Sequence, residues 1–170
     1  MTLILNRTDV GKILTMDKAI EVLESAFCEL SDETAEMPPR TVIIDSENNG
    51  WLGYMPAYLR TEGQLGIKAV SVYKDNVNKF NLPTTIGTIL VQDSLTGEVV
   101  SIMDGGLLTG IRTGASAGVA TKYLARKNSK VGGIIGTGVM ARNQIIALNS
   151  SSDVETILVY SKNNADQRNK

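Results

Sequence analysis

The sequence predicts a mixed α/β chain in two successive parts: a sheet-rich first part to about residue 105, then an alternation of helix and strand. Three observations carry this. β-rich runs at residues 40–45, 65–73, 85–92 and 98–103 are separated by turn residues and not by helical periods. One strongly periodic helix precedes them. Near residue 136 a glycine turn stands between an apolar run and a helix-compatible stretch.

In chain order, Leu3–Leu5 reads as a short opening strand. Thr15 is placed as an N-cap with Asp17 in the first turn, and Met16, Ala19, Ile20, Leu23, Ala26, Phe27 and Leu30 keep the spacing of one buried helical face. Cys28 lies off that stripe and is expected to be inert. Pro38 and Pro39 stop any helix and hold the chain extended into a strand at 40–45, closed by Asn48-Asn49-Gly50. A return strand is expected from Trp51 to Met55, and a third at 65–73. Residues 85–92 and 98–103 form an antiparallel hairpin in which Gly97 takes a positive φ. Asp104-Gly105-Gly106 marks a boundary, after which residues 107–125 read as a helix rich in Gly and Ala, open to close approach by another backbone.

Composition narrows the chemistry. With 170 residues, 42% hydrophobic and 21% charged, the chain is long enough for a real core. A mean hydropathy of −0.01 is that of a soluble chain, and with no signal-like start the chain reads as cytoplasmic. Seventeen basic against eighteen acidic residues, net −1, argue against a nucleic-acid partner and for a small molecule. The absence of histidine excludes Ser-His and Cys-His pairs and His-ligated metal, and the lone cysteine excludes a Cys cluster. No metal site is expected. Acid/base work falls to Lys, Asp, Glu or Tyr.

Residues 131–135 form an apolar run that leads into Gly136-Thr137-Gly138-Val139-Met140-Ala141, then a helix to Asn149 and a second apolar run at 156–160. This is the strand, turn, helix, strand order of a dinucleotide-binding unit. Gly136 permits the tight turn, Gly138 lets backbone N–H groups reach a pyrophosphate, Ala141 allows close helix-to-strand packing, and the helix N-terminus adds its dipole. A tight turn with no ligand is the alternative. At the end of the second strand Ser161-Lys162 offers no carboxylate for a ribose hydroxyl and one cation for a 2′-phosphate, which leans from NAD to NADP; otherwise Lys162 is a solvated surface lysine. With only two parallel strands encoded, Ile134, Ile135, Ile157 and Val159 are expected to keep much of their area in water. Upstream, Arg40, Lys68 and Arg112 are cations where surface residues are uncommon. Arg40 follows two prolines, Lys68 shares strand parity with Val70 and Val72, and Arg112 sits in a Gly-rich helix. An anion pocket explains all three; a solvated strand face or surface ion pairs are the alternative.

Met37-Pro-Pro-Arg40, Met55-Pro-Ala-Tyr58, Leu65-Gly-Ile-Lys68, Leu82-Pro-Thr84, Gly87-Thr88, Met103-Asp-Gly105, Arg112-Thr113 and Gly136-Thr-Gly-Val-Met-Ala141 occur in order along nearly the whole chain. Together they resemble the ornithine cyclodeaminase and mu-crystallin family, which includes archaeal-type alanine dehydrogenases and ketimine reductases. The resemblance implies a mixed α/β substrate-binding and dimerisation domain, residues 1–112, followed by the first half of a Rossmann-type NAD(P)-binding domain, residues 113–170. It implies hydride transfer at the α-carbon of an amino acid or imine, Arg40, Lys68 and Arg112 binding the substrate carboxylate, and Lys68 also shuttling a proton. It further implies Thr84 and Arg112 touching the cofactor, and a homodimer.

Three departures qualify this. Met140 replaces the family's usual Gln, and Gly53 stands where ornithine-specific members carry a glutamate. Family chains are also about twice as long, so the sequence reads as the N-terminal half, inactive by itself. A non-catalytic NAD(P) or small-ligand binder is the competing reading, and retention of Arg40 with Lys68 favours chemistry.

Overall fold

The computed structural model describes residues 1–162. The elements are β1 (Leu3–Leu5), α1 (Arg7–Ile13), α2 (Met16–Ser31), β2 (Ala35–Glu36), β3 (Thr41–Asp45), β4 (Gly50–Leu59), β5 (Gln64–Tyr73), α3 (Asn76–Phe80), β6 (Thr85–Asp93), β7 (Val99–Asp104), α4 (Gly105–Leu124), β8 (Val131–Ile135), α5 (Val139–Ser151) and β9 (Thr156–Tyr160). They form two compact units. The first comprises residues 1–13 and 26–108, the second residues 14–25 and 109 onward.

The first unit is a seven-stranded mixed sheet in the order β1-β7-β6-β5-β4-β2, with β3 also on β4. The hairpins expected from turn chemistry are present: Asn49 (φ 53°) turns the chain between β3 and β4, and Gly97 (φ 76°) turns it between β6 and β7. β4 runs four residues beyond the expected end at Met55. Pro56 is tolerated because it falls between β3 and β2, where no strand pairs with that edge of β4. The helix α1 was not expected, although its signal is local. The Asn6 side-chain oxygen accepts the N–H of Thr8 (2.8 Å) and Asp9 (3.1 Å) while the Asp9 carboxylate accepts the Asn6 N–H (3.0 Å), a reciprocal cap.

The apolar stripe of α2 is core only in its first half. Met16, Ala19 and Ile20 are buried, whereas Phe27 and Leu30 are 43% and 44% exposed. Glu29 is buried in their stead, because its carboxylate accepts the backbone N–H groups of Thr61 (3.0 Å) and Glu62 (3.2 Å) at the β4–β5 turn. Cys28 is exposed and free.

In the second unit β8 and β9 pair in parallel, with α5 packed on one face. Strand parity divides the expectation for their side chains: it holds for Ile135, 90% exposed, and not for the three that are half-buried. Ile134, Ile157 and Val159 share the half-buried face with Gly132, whereas Val131, Ile135, Leu158 and Tyr160 stand 59–90% exposed on the other. The small residues of α4, which begins at Gly105 and not at Leu107, admit α5 closely. A Cβ on Gly114 would lie 2.6 Å from the Asn143 carbonyl oxygen. Lys122 on α4 closes an ion pair of 2.6 Å with Glu24 on α2, which holds its ammonium above the usual lysine range. Among the described residues no helix is long and apolar enough to cross a membrane, and no group of three His, Cys, Asp or Glu is placed to hold a metal.

Candidate functional site

Antiparallel register places the side chain of Lys68 exactly opposite two residues: Met55 on β4 and Ile89 on β6, with Met103 next in the row on β7. Directly opposed residues project to the same face of a sheet. Lys68 therefore shares its face with Met55, Ile89, Val70 and Gly53, the last two opposite each other in the next row. Lys68 is half-buried. Arg40 is exposed and immediately precedes Thr41, which pairs with Tyr54. Arg40 thus enters the sheet at the level of the Met55–Lys68 row, two strand spacings or about 10 Å from Lys68.

Two features shape the sheet around Lys68. The indole of Trp51 lies over Gly53: a Cβ there would overlap Cη2 and come within 2.9 Å of Cζ2 and Cζ3. The start of α4 abuts the same face at Gly87, whose Cβ would meet the Gly105 backbone at 3.2 Å. Asp104 caps that helix by accepting the Leu107 N–H at 2.8 Å. The opposite face has its own polar cluster, in which the Tyr73 hydroxyl donates to Asp45 (3.2 Å). Asn48 donates to Asp45 from its side chain and its backbone, holding the carboxyl below the usual range, while burial and Asp45 push the Tyr73 hydroxyl up.

Thr84 is half-buried immediately before β6, and its carbonyl accepts the Tyr73 N–H at 2.9 Å. It is five residues from Ile89, about 16 Å along the strand, and so outside the Lys68 row. Arg112 belongs to the second unit and is exposed on α4. Of the three cations Lys68 is half-buried, whereas Arg40 and Arg112 are exposed.

The glycine turn has the geometry its sequence calls for. Gly136 has φ +109°, accessible to glycine, and its N–H donates to the Tyr160 carbonyl at 2.8 Å. Gly138 is the N-cap of α5 in an extended conformation, and Ala141 is buried. A Cβ on Gly136 or Gly138 would meet no protein atom within 4 Å. Packing within the unit therefore does not require a glycine at 138. The first-turn N–H groups of Val139, Met140 and Ala141 precede the first intrahelical bond, Arg142 to Gly138 at 3.3 Å. That cradle fits a dinucleotide pyrophosphate. Thr137 is half-buried; Val139 and Met140 are exposed. At the end of β9 Ser161 is half-buried and Lys162 exposed.

A glycine turn between a parallel strand and the helix that follows it is the arrangement of dinucleotide-binding units. The chain belongs to the ornithine cyclodeaminase/mu-crystallin family, whose model matches residues 1–170. It is 39% identical over 159 residues to alanine dehydrogenase of Archaeoglobus fulgidus, covering 94% of this chain and 48% of that protein. The solved Δ1-pyrroline-2-carboxylate reductase of Thermococcus litoralis, in complex with NADH and L-proline, superposes with a TM-score of 0.91 at 43% identity, covering 99% of this chain and 51% of that one. An archaeal alanine dehydrogenase dimer with bound NAD gives 0.88 at 38%, covering 94% and 48%. The chain spans about half the length of the relatives it matches.

Proposed function

We propose that the protein is an NAD(P)-dependent oxidoreductase or deaminase acting at the α-carbon of an amino acid or its imine, of the alanine dehydrogenase, ketimine reductase or cyclodeaminase type. The observation that supports this best is the open glycine turn, with Gly136 at φ +109° and free space before Gly138, in a chain matched by the family from end to end. Backbone groups of residues 136–141 hold the pyrophosphate, and Ser161 with Lys162 meets the ribose, with a lean to NADP. When bound, the nicotinamide supplies or accepts the hydride.

The chain's own residues do the rest. Arg40, Lys68 and Arg112 bind the substrate carboxylate, and Lys68 also holds or releases the proton at the substrate nitrogen. Thr84 and Arg112 contact the cofactor. The assembly is a cytoplasmic homodimer paired through the sheet unit; the dimeric archaeal relative supports the pairing.

The test is steady-state kinetics on the protein expressed from its complete reading frame, with NADPH or NADH and imines formed from 2-oxo acids and ammonia. Nicotinamide oxidation should depend on the imine. Arg112→Ala, which removes a charge-assisted contact of about 1.5–3 kcal/mol, should raise KM roughly 10- to 150-fold, and Lys68→Met should depress kcat. Absence of nicotinamide-dependent turnover with every α-imino and α-amino acid tried would overturn the proposal.

A further inference from the structure

Within the second unit the first half of α2 meets α4 and α5 at Gly118. A Cβ there would lie 2.8 Å from Ser151 Oγ and 2.9 Å from Ile20 Cδ1, so the absence of a side chain lets the three helices close. Beside this junction is a cavity of about 300 Å³ lined by Asp17, Glu21 and Glu24 of α2, with Ile20, Lys122 and Ser151. The three carboxylates recur at i, i+4 and i+7 and so share one stripe of the helix, with a rise of about 6 Å from Asp17 to Glu21 and about 4.5 Å from Glu21 to Glu24. Like charges at this spacing repel one another. The Lys122 ammonium pairs with Glu24 at 2.6 Å, and the lining then carries two carboxylates more than cations. The Ser151 hydroxyl lines the same cavity and is buried without a hydrogen-bond partner.

We propose that this cavity is a binding site for a linear diamine, separate from the residues assigned to substrate and cofactor. Lys122 shows what the cavity accepts, because its side chain is itself a primary ammonium on a methylene stem. One ammonium of the ligand joins Lys122 near Glu24 and donates to the Ser151 hydroxyl, which removes the cost of leaving that oxygen unpaired. Its methylenes lie on Ile20, and the second ammonium meets Glu21 and Asp17, one helical turn apart. The carboxylates are strung along the helix and are not gathered to hold a metal, so an extended cation matches them and a metal ion does not. Direction is set by charge. Arg126 and Lys127 line the neighbouring cavity with Lys122, so the ligand extends from Glu24 toward Asp17 and not past Lys122. Lys122 is ten residues from Arg112, about 15 Å along α4, and the bound diamine would tie the start of α2 to the far end of that helix.

The experiment titrates the protein expressed from its complete reading frame with 1,4-diaminobutane at low salt, by calorimetry and by thermal unfolding. Binding should saturate at one diamine per chain and, at ten times its Kd, raise Tm by roughly 3–6 °C. Potassium chloride at equal ionic strength should not reproduce the shift, and n-butylamine, with one ammonium, should bind at least about tenfold more weakly. Asp17→Asn/Glu21→Gln changes two exposed side chains and should fold as the parent does, while its affinity for the diamine falls at least about tenfold. Lys122→Ala leaves Glu24 without its cation, so its Tm should fall and the diamine should restore more of it than it adds to the parent. Three results would overturn the proposal: no saturable binding, an equal shift with potassium chloride, or undiminished affinity in Asp17→Asn/Glu21→Gln. None of them bears on the proposed function, which uses other residues.

Discussion

Gly114→Ala should destabilise the second unit even though alanine is the better helix former. In the interior of α4 the exchange by itself would gain about 1 kcal/mol of helix propensity. Against this, the new Cβ would sit 2.6 Å from the Asn143 carbonyl oxygen, 2.7 Å from its carbon and 2.9 Å from its Cβ, so α5 must retreat. The atoms in the way are mostly backbone, which no rotamer change relieves, and overpacking of this kind costs about 1–3 kcal/mol, so after the gain of about 1 kcal/mol the net is a loss of up to about 2 kcal/mol. For a chain of this size that lowers Tm by up to about 8 °C. Gly106→Ala in the first turn of the same helix is the control, since its nearest atoms, on Arg7 and Asp104, are 3.7 Å away. It should be neutral or slightly stabilising. Thermal and urea unfolding followed by circular dichroism would measure both. If Gly114→Ala matches or exceeds the parent in stability, the close approach of α5 to α4 is not a packing constraint and the reasoning fails.

Two further outcomes follow from named groups. Asp45 is held below the usual carboxylate range by Asn48, so it stabilises the fold above its unfolded value of about 3.9 and loses that contribution as pH falls through the lower folded value. The urea midpoint of the parent should therefore exceed that of Asp45→Asn at pH 6, and the difference should close on acidification; a gap constant down to pH about 2.5 contradicts the assignment. At the cofactor corner, Ser161→Asp should move preference toward NADH by repelling a 2′-phosphate, and unchanged NADPH/NADH ratios would show that this position is not read.

Much of this protein is local, and what is local was legible in the residues. Thr15 caps α2, with the Lys18 N–H 3.4 Å from its hydroxyl. Gly97 and Gly136 take the positive φ their turns require, and the apolar runs at 131–135 and 156–160 become parallel strands with α5 between them. The cap at Asn6 and Asp9 is equally local, but the short span before Thr15 has no apolar period that marks a helix. Strand pairing was not legible in the same way. Lys68, Met55 and Ile89 become one row only because β4, β5 and β6 settle in a single register; a slip of one residue would send Lys68 to the Tyr73–Asp45 face. Tertiary context also divided α2, burying Glu29 where two turn N–H groups need an acceptor and leaving Phe27 and Leu30 exposed on a stripe that by period alone reads as core. Sequence thus determined the elements and the chemistry of the turns, since those depend on neighbours along the chain. Which side chains share a face was decided by pairings between residues that are distant in sequence.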